Sequence, residues 1–131
     1  MTTTPTSKTY EDYKRERDER EARDRAYLES LGIAWPRCGF WVDEGWRPLV
    51  DETLKKMIAA GWDRSLSQVK QKFCELRIYV GTVPRDAAVT AIIDEATKRS
   101  HTICEGCGAE REKKGVKMGR AYCNACEAKP I

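Results

Sequence analysis

Four cysteines near one end of the chain form two closely spaced pairs. Cys104 and Cys107 make one C-x2-C pair, Cys123 and Cys126 make another, and 15 residues separate the two pairs. Each pair can bring two thiolates to one point across a tight turn, and the segment between them is long enough for a hairpin that returns the second pair. This spacing predicts a structural Zn²⁺ site with four cysteine ligands.

Other interpretations of these cysteines remain open. The pairs could form disulfides or a thioredoxin-like redox motif, and His101, three residues before Cys104, could replace one thiol in a Cys3His site. The polar start of the chain lacks the apolar segment of a secretion signal, which favours metal over disulfides because thiols stay reduced inside cells. Cys38 and Cys74 are predicted to be small buried apolar residues rather than ligands.

A site with four cysteine ligands is unsuited to catalysis. The thiolates fill every tetrahedral position, so no water can be activated on the metal. The His-x-Glu and Pro-Cys-x-x-Cys motifs of zinc deaminases are absent from the sequence. A zinc-finger-associated nuclease would need a histidine base and further metal-binding histidines or carboxylates. The chain has only His101, which cannot supply that set and makes a nuclease the less favoured alternative. The sequence therefore predicts a protein that is not an enzyme.

The excess positive charge is concentrated beside the cysteine pairs. Residues 1–31 hold 7 basic and 8 acidic side chains, residues 32–97 hold 9 of each, and residues 98–131 hold 8 basic and 4 acidic ones. A zinc ion with four thiolates carries a formal charge of about −2, which leaves the metallated segment mildly basic. That bias falls short of the basic surface of a dedicated DNA-binding protein.

Length and composition predict one domain with appendages. The 131 residues include no apolar run long enough to span a bilayer, so we expect a soluble, intracellular protein. Residues 1–7 are predicted to be a disordered tail and residues 8–31 a helical arm. In residues 11–25, 13 of 15 side chains are charged. A helix that is polar all round cannot pack there against a core, so we expect a solvated, partner-bound or self-associating arm.

Residues 32–99 are predicted to form an α+β core, and residues 100–131 a zinc-binding module. Helices are expected after Glu44 and after Asp86, with a strand, or two strands joined by a bend, over residues 67–80. The fold class is therefore a small α+β domain of two helices and a short antiparallel sheet, with a C-terminal zinc knuckle and a long charged N-terminal helix. The aromatic cluster is expected to build the core, a ligand shelf or a base-stacking platform; it comprises Trp35, Phe40, Trp41 and Trp46.

Several segments resemble an uncharacterised family of small bacteriophage and prophage proteins over about residues 38–127. The segments are Glu44-Gly45-Trp46, Gln68-Val69-Lys70-Gln71-Lys72-Phe73, Leu76-Arg77-Ile78-Tyr79-Val80, Ile103-Cys104-Glu105-Gly106-Cys107-Gly108-Ala109 and Tyr122-Cys123-Asn124-Ala125-Cys126. Glycine is usual in that family where this chain has Cys74, and if the glycine serves a bulge, Cys74 becomes an exposed thiol. The resemblance implies a bacterial cytoplasm and carries no activity. The cysteine module itself is similar to treble-clef and zinc-ribbon knuckles, which serve nucleic-acid and protein binding alike.

Two binding functions follow as expectations. The first is a phage accessory factor that docks on a host protein of the transcription or defence machinery. The alternative is a zinc-finger protein that binds DNA or RNA through basic residues between the cysteine pairs, with Trp35 or Trp41 stacked on bases. Those basic residues are Lys113, Lys114, Lys117 and Arg120.

Overall fold

A computed structural model describes residues 8–81, 86–112 and 121–127 of the chain. The elements in chain order are helix α1 (Tyr10–Ser30), a 3-10 turn (Glu44–Trp46), helix α2 (Arg47–Ala59), strands β1 (Leu66–Lys72) and β2 (Glu75–Val80), helix α3 (Ala87–Ser100) and the short helix α4 (Asn124–Glu127). The predicted α+β class is confirmed. The predicted tail over residues 1–7 lies outside the described residues. Within the described ranges, no helix has both the length and the apolar character needed to cross a bilayer.

Helix α1 has a recognisable capping signal at each end. The Thr9 side chain accepts a hydrogen bond from the Asp12 N–H at 3.2 Å, and the Asp12 carboxylate accepts one from the Thr9 N–H at 3.0 Å. This reciprocal capping box satisfies two backbone donors that the helix leaves open. At the other end, Gly32 adopts a left-handed φ of +72° and donates its N–H to the Glu29 carbonyl. The predicted long helix is therefore confirmed.

The charged part of α1 packs against the rest of the protein, so the expectation of an arm without core contacts is wrong. Asp24 is 1% exposed and pairs with Arg47 of α2 at 2.6 Å. One turn later, Leu28 is completely buried. One turn earlier, the Arg20 guanidinium lies 4.4 Å from the centre of the Trp41 ring. Charge pairs and cation–π contacts thus hold this helix against the domain, whereas most helices pack through an apolar stripe.

Helices α2 and α3 follow the sequence expectation closely. The buried face of α2 consists of Leu49, Val50, Thr53, Leu54 and Met57. Asp86 caps α3, where its carboxylate accepts hydrogen bonds from the N–H groups of Ala88 and Val89. The last turn of α3 contacts β2, since Thr97 donates to the Leu76 carbonyl and Ser100 accepts from the Leu76 N–H. Helix α3 therefore covers one edge of the sheet.

The sheet is a two-stranded antiparallel hairpin. Strands β1 and β2 pair with Val69 opposite Ile78, and Phe73 and Cys74 form the connecting loop. Both loop residues have positive φ, of 55° and 63°, which residues other than glycine rarely adopt. Cys74 is nevertheless buried, so the expectation of an exposed thiol is wrong and the prediction of a small buried residue is confirmed.

A loop before the hairpin runs beside β1 and extends its hydrogen bonding. The Cys38 N–H bonds to the Ser67 carbonyl at 2.9 Å, and the Trp41 N–H bonds to the Val69 carbonyl at 2.8 Å. Cys38 is exposed at this edge, so its predicted burial is wrong. Among the aromatic residues of this region, Phe40 enters the core and Trp41 remains 54% exposed.

One hydrophobic core joins these elements. Trp46 is its largest fully buried side chain. The core residues are Leu28, Ile33, Phe40, Val42, Trp46, Leu49, Val50, Leu54, Met57, Trp62, Leu66, Val69, Cys74, Leu76, Ile78, Val89, Ala96 and Ala121. Because Ala121 belongs to the set, the segment before the second cysteine pair reaches the same core.

Candidate metal centre

The first cysteine pair lies on a tight backbone turn. The Cys104 N–H bonds to the Ala109 carbonyl at 2.7 Å, and the Gly108 N–H returns to the Cys104 carbonyl at 2.8 Å. Gly108 has a φ of +81°, which glycine adopts without strain. The Cys107 N–H points at the Cys104 sulfur, 3.5 Å away. The turn thus presents two sulfurs on one side, as the spacing predicts.

The second pair completes a cluster of four sulfurs. The Sγ atoms of Cys104, Cys107, Cys123 and Cys126 all lie within 4.8 Å of one another. Cys126 is on α4, and the backbone before it is fixed by a hydrogen bond from the Glu105 N–H to the Ala121 carbonyl. All four predicted ligands are therefore together, and the cluster could hold a metal ion.

One sulfur–sulfur distance in the cluster matches the edge of a tetrahedral thiolate site. The Cys107 and Cys123 sulfurs are 3.7 Å apart. A tetrahedron with metal–sulfur bonds of about 2.3 Å has edges of about 3.8 Å, whereas a disulfide bond measures about 2.05 Å. No disulfide bond joins any of the six cysteines, all of which lie among the described residues. The geometry therefore favours metal binding over the disulfide interpretation.

Hydrogen bonds around the Cys104 sulfur favour its thiolate form. Burial raises its pKa, but hydrogen bonds from the backbone N–H groups of Cys123 and Cys107, and from their thiols, outweigh burial and lower the pKa to about 6. The opposite holds for Cys126, because hydrogen bonds with the neighbouring Cys107 and Cys104 thiols raise its pKa to about 12. A metal ion would have to displace the protons held by this cluster, as thiolate sites require.

His101 is engaged elsewhere. Its Nε2 lies 3.0 Å from a carboxylate oxygen of Glu75 on β2. The described cluster consists of four cysteines, so the Cys3His alternative has no support from the geometry. A histidine bonded to a carboxylate on the hairpin is a structural contact between α3 and the sheet.

The cysteine turn rests directly on the start of α2. The Gly45 N–H donates to the Glu105 carbonyl at 2.7 Å, and the Trp46 indole N–H donates to the Ile103 carbonyl at 2.8 Å. The buried Trp46 ring therefore links the hydrophobic core to the backbone of this turn, residues 103–109, which we call the metal turn. Sequence reasoning missed this role, although the two residues stand in the segment used for the family resemblance.

Arg111 is a second anchor that sequence reasoning missed. Arg111 is 5% exposed, and besides its neighbour Glu112 its guanidinium donates to the carbonyl oxygens of Cys74 at 2.6 Å, Ser100 at 2.8 Å and Ile103 at 2.9 Å. The last three contacts reach other segments. These carbonyls belong to the hairpin loop, the end of α3 and the metal turn. One side chain thus holds three segments together, and nothing in the local sequence distinguishes it from a surface arginine.

Replacement of Gly45 by alanine should break the contact between α2 and the metal turn. The new Cβ would lie 2.6 Å from the Glu105 carbonyl oxygen and would also overlap the backbone at Cys104 and Gly108. Backbone atoms on two anchored segments cannot move aside, so we expect a loss of about 3 kcal/mol of unfolding free energy and weaker metal binding. Denaturant unfolding and a competitive metal titration measure the two effects.

Gly61→Ala is the matched control. A Cβ at Gly61 meets no atom within 4 Å, and only its φ of +91° opposes the substitution. We expect a cost of about 1–2 kcal/mol there and no change in metal affinity. Equal effects of the two substitutions, or an unchanged metal affinity in Gly45→Ala, would contradict the proposed contact.

The predicted partner residues have different outcomes. Lys113, Lys114, Lys117 and Arg120 lie outside the described residues. Trp35 and Trp41 are close to arginines of α1, since Arg25 lies 4.5 Å from the Trp35 ring and Arg20 lies 4.4 Å from the Trp41 ring. Both indoles therefore already take part in cation–π contacts within the chain. Their use as base-stacking platforms remains a prediction.

Comparisons with known proteins add no assignment to this geometry. No family model, no curated protein and no solved structure matches the chain. The resemblance to phage proteins therefore remains a prediction from the sequence. What the described residues establish is a small α+β domain whose four clustered cysteines could hold a metal ion.

Proposed function

We propose that the four cysteines hold a structural Zn²⁺ ion. The convergence of their sulfurs within 4.8 Å carries this proposal. Zinc accepts four thiolates in a tetrahedron without a preference for other geometries, and reduced cysteines are soft ligands that select it. When bound, the ion would supply folding free energy to the segments that carry the two pairs.

We further propose that the chain acts by binding and not by catalysis. Four thiolates leave no coordination position for substrate or water. The position of the cluster supports the same conclusion, because the metal turn packs its backbone against Gly45 and sends the Ile103 carbonyl to the buried Trp46. A metal in this position joins segments of the domain in the manner of a structural zinc site.

The partner that we propose is a protein of a bacterial host, with the chain as a phage accessory factor. The family resemblance supplies the phage context, and the host target would belong to the transcription or defence machinery. A protein partner is favoured over nucleic acid because residues 32–97 are electrically neutral and a Zn²⁺-tetrathiolate adds negative charge to the only basic segment. Arg25 also supports this choice, because it lies over the Trp35 ring and would compete with a base for it.

Crosslinking in expressing bacterial cells tests this proposal, with both protein and nucleic acid identified in the crosslinked material. We expect the wild-type chain and Cys38→Ala to recover the same host protein, and Cys104→Ala to lose it. Cys38 is a suitable control because its thiol is exposed and lies outside the metal cluster. Recovery of nucleic acid without a common protein would contradict protein docking, and full recovery by Cys104→Ala would contradict a role for the metal.

A further inference from the structure

A surface cleft of about 430 Å³ lies beside the metal turn, and we name it the Trp41 cleft. Trp41, Asp43, Glu105 and Tyr122 line it together with side chains of β1. The cleft therefore joins the exposed loop next to the sheet to the segments that carry both cysteine pairs. It is separate from the four sulfurs, which need no further ligand.

Two carboxylates meet in the Trp41 cleft. Glu105 is 5% exposed, and its Oε2 accepts a 3.3 Å hydrogen bond from the Asp43 N–H. Among the described residues, no hydrogen bond or ion pair engages the other oxygen of Glu105. The Asp43 carboxylate accepts a hydrogen bond from the Tyr122 hydroxyl at 2.6 Å. Because Glu105 lines the cleft, its second oxygen is available to a hydrogen-bond donor that enters from solvent.

No cation of the described residues forms an ion pair with these carboxylates. Lys70 lines the cleft but forms no ion pair with Asp43 or Glu105 within the described part of the chain. The charge of the buried Arg111 acts on Glu105, but its guanidinium donates its hydrogen bonds to carbonyl oxygens. The chemistry of the cleft therefore suits an incoming cation and disfavours phosphate.

The aromatic wall indicates which cation fits. Trp41 is 54% exposed, and it also lines a neighbouring cleft in which Arg20 lies 4.4 Å from the ring centre. The chain itself thus shows that this indole accepts a guanidinium. A second guanidinium could stack beside Trp41 and donate parallel hydrogen bonds to a carboxylate, which a compact ammonium or a metal ion cannot do.

We propose that the Trp41 cleft binds an arginine side chain of a partner protein. This inference rests on the proposed function as a protein-docking module and names the chemistry of its partner. Trp41 and the open oxygen of Glu105 make the specific contacts, and Asp43 adds charge while Tyr122 holds it in place. Recognition is expected to be weak for one isolated residue, because the cleft supplies a single anchor of a larger interface.

Titration of the zinc-loaded full chain with the peptide acetyl-Gly-Arg-Gly-amide tests the inference. The indole N–H of Trp41 and the backbone N–H groups of Asp43 and Glu105 report binding in two-dimensional ¹H–¹⁵N NMR spectra. We expect millimolar binding, and binding about tenfold weaker when citrulline replaces arginine, because citrulline keeps the shape and loses the charge. No response to the arginine peptide, or an equal response to citrulline, overturns the proposal.

Three variants locate the binding. Glu105→Gln and Trp41→Leu should each weaken binding about fivefold to tenfold, since each removes one charge-assisted or cation–π contact. Asp94→Asn is the control, because it removes a carboxylate from a different groove between β2 and α3. Unchanged binding in both cleft variants, or an equal loss in the control, overturns the assignment.

Elemental analysis of each sample keeps this test separate from that of the proposed function. If the chain contains zinc but does not bind the arginine peptide, only the proposed arginine site is wrong. If the chain is folded without any metal, the proposed structural zinc site is wrong, whether or not the peptide binds. Glu105→Gln and Trp41→Leu retain all four cysteines, so both should keep one metal ion per chain.

Discussion

Metal-free protein is expected to lose the folded structure of residues 103–112 and 121–127. Apparent binding free energies of structural zinc sites are about 10–16 kcal/mol, and this energy is available only to the folded state. Among the described residues of these two segments, Ala121 alone belongs to the hydrophobic core and Ile103 packs against it. A zinc-selective chelator should therefore cause a large loss of NMR peak dispersion that zinc restores and magnesium does not.

Cys104→Ala should reproduce the effect of the chelator, and Cys38→Ala should not. Cys104 is completely buried, and its sulfur accepts hydrogen bonds from the N–H groups of Cys107 and Cys123. Cys38 is exposed and lies outside the cluster. The Cys38→Ala substitution therefore removes a thiol without removing a proposed metal ligand. Thermal unfolding, circular dichroism and elemental analysis measure the pair. A folded, metal-free Cys104→Ala with unchanged stability would refute the structural role of the metal.

Loss of the metal turn should also affect the core at two defined places. Trp46 would lose the Ile103 carbonyl as partner of its indole N–H, and Arg111 would withdraw from the Cys74 and Ser100 carbonyls. A buried donor or acceptor without a partner costs about 1–3 kcal/mol. The hairpin loop and the end of α3 should therefore show faster amide hydrogen exchange in the metal-free chain than the middle of α2.

Local signals made the cluster of four cysteines and most helix ends predictable from the sequence. The C-x2-C spacing fixes how two sulfurs meet across one turn, and a capping residue such as Asp86 acts within three residues of itself. The alternation around Leu76 and Ile78 likewise reports which face of a strand is buried. Each of these effects depends on neighbours along the chain.

Contacts between distant segments could not be predicted in the same way. Arg111 and Gly45 act through carbonyl groups, which every residue carries and no pattern marks. The hairpin loop is a further case, because Phe73 and Cys74 adopt left-handed φ values that asparagine and glycine favour. Burial of the Cys74 side chain and pairing of the two strands stabilise the loop despite its composition.

The packing of α1 against the core was not predicted, because the pattern of apolar residues along a helix contains no information about charge pairs. The helix has almost no apolar stripe, so the pattern predicted no buried face. Its buried face is nevertheless real, and it is built around Asp24 and Arg47 with Arg23 and Glu44 at the margin. The Tyr27 hydroxyl adds a 2.6 Å hydrogen bond to Asp51 of α2.

Asp24→Ala is expected to destabilise the protein by about 3 kcal/mol. The Asp24 carboxylate is 1% exposed and the Arg47 side chain is 20% exposed, so removal of the acid leaves a largely desolvated guanidinium. Breaking one side of a buried ion pair typically costs about 3–5 kcal/mol, and the lower end applies because Glu44 remains 3.4 Å from Arg47. Urea unfolding of the zinc-loaded chain gives the free energy.

Asp18→Ala on the same helix separates the ion pair from helix propensity. Alanine favours a helix over aspartate by up to about 0.7 kcal/mol at either position. Among the described residues, Asp18 has only an exposed 3.7 Å contact with Arg17. Asp18→Ala should therefore be neutral or slightly stabilising. Replacing both buried partners, as in Asp24→Leu with Arg47→Met, should recover most of the loss because no charge is left unpaired. If Asp24→Ala matched Asp18→Ala in stability, the Asp24–Arg47 pair would not be what holds α1 to the core, and its other contacts would have to do so.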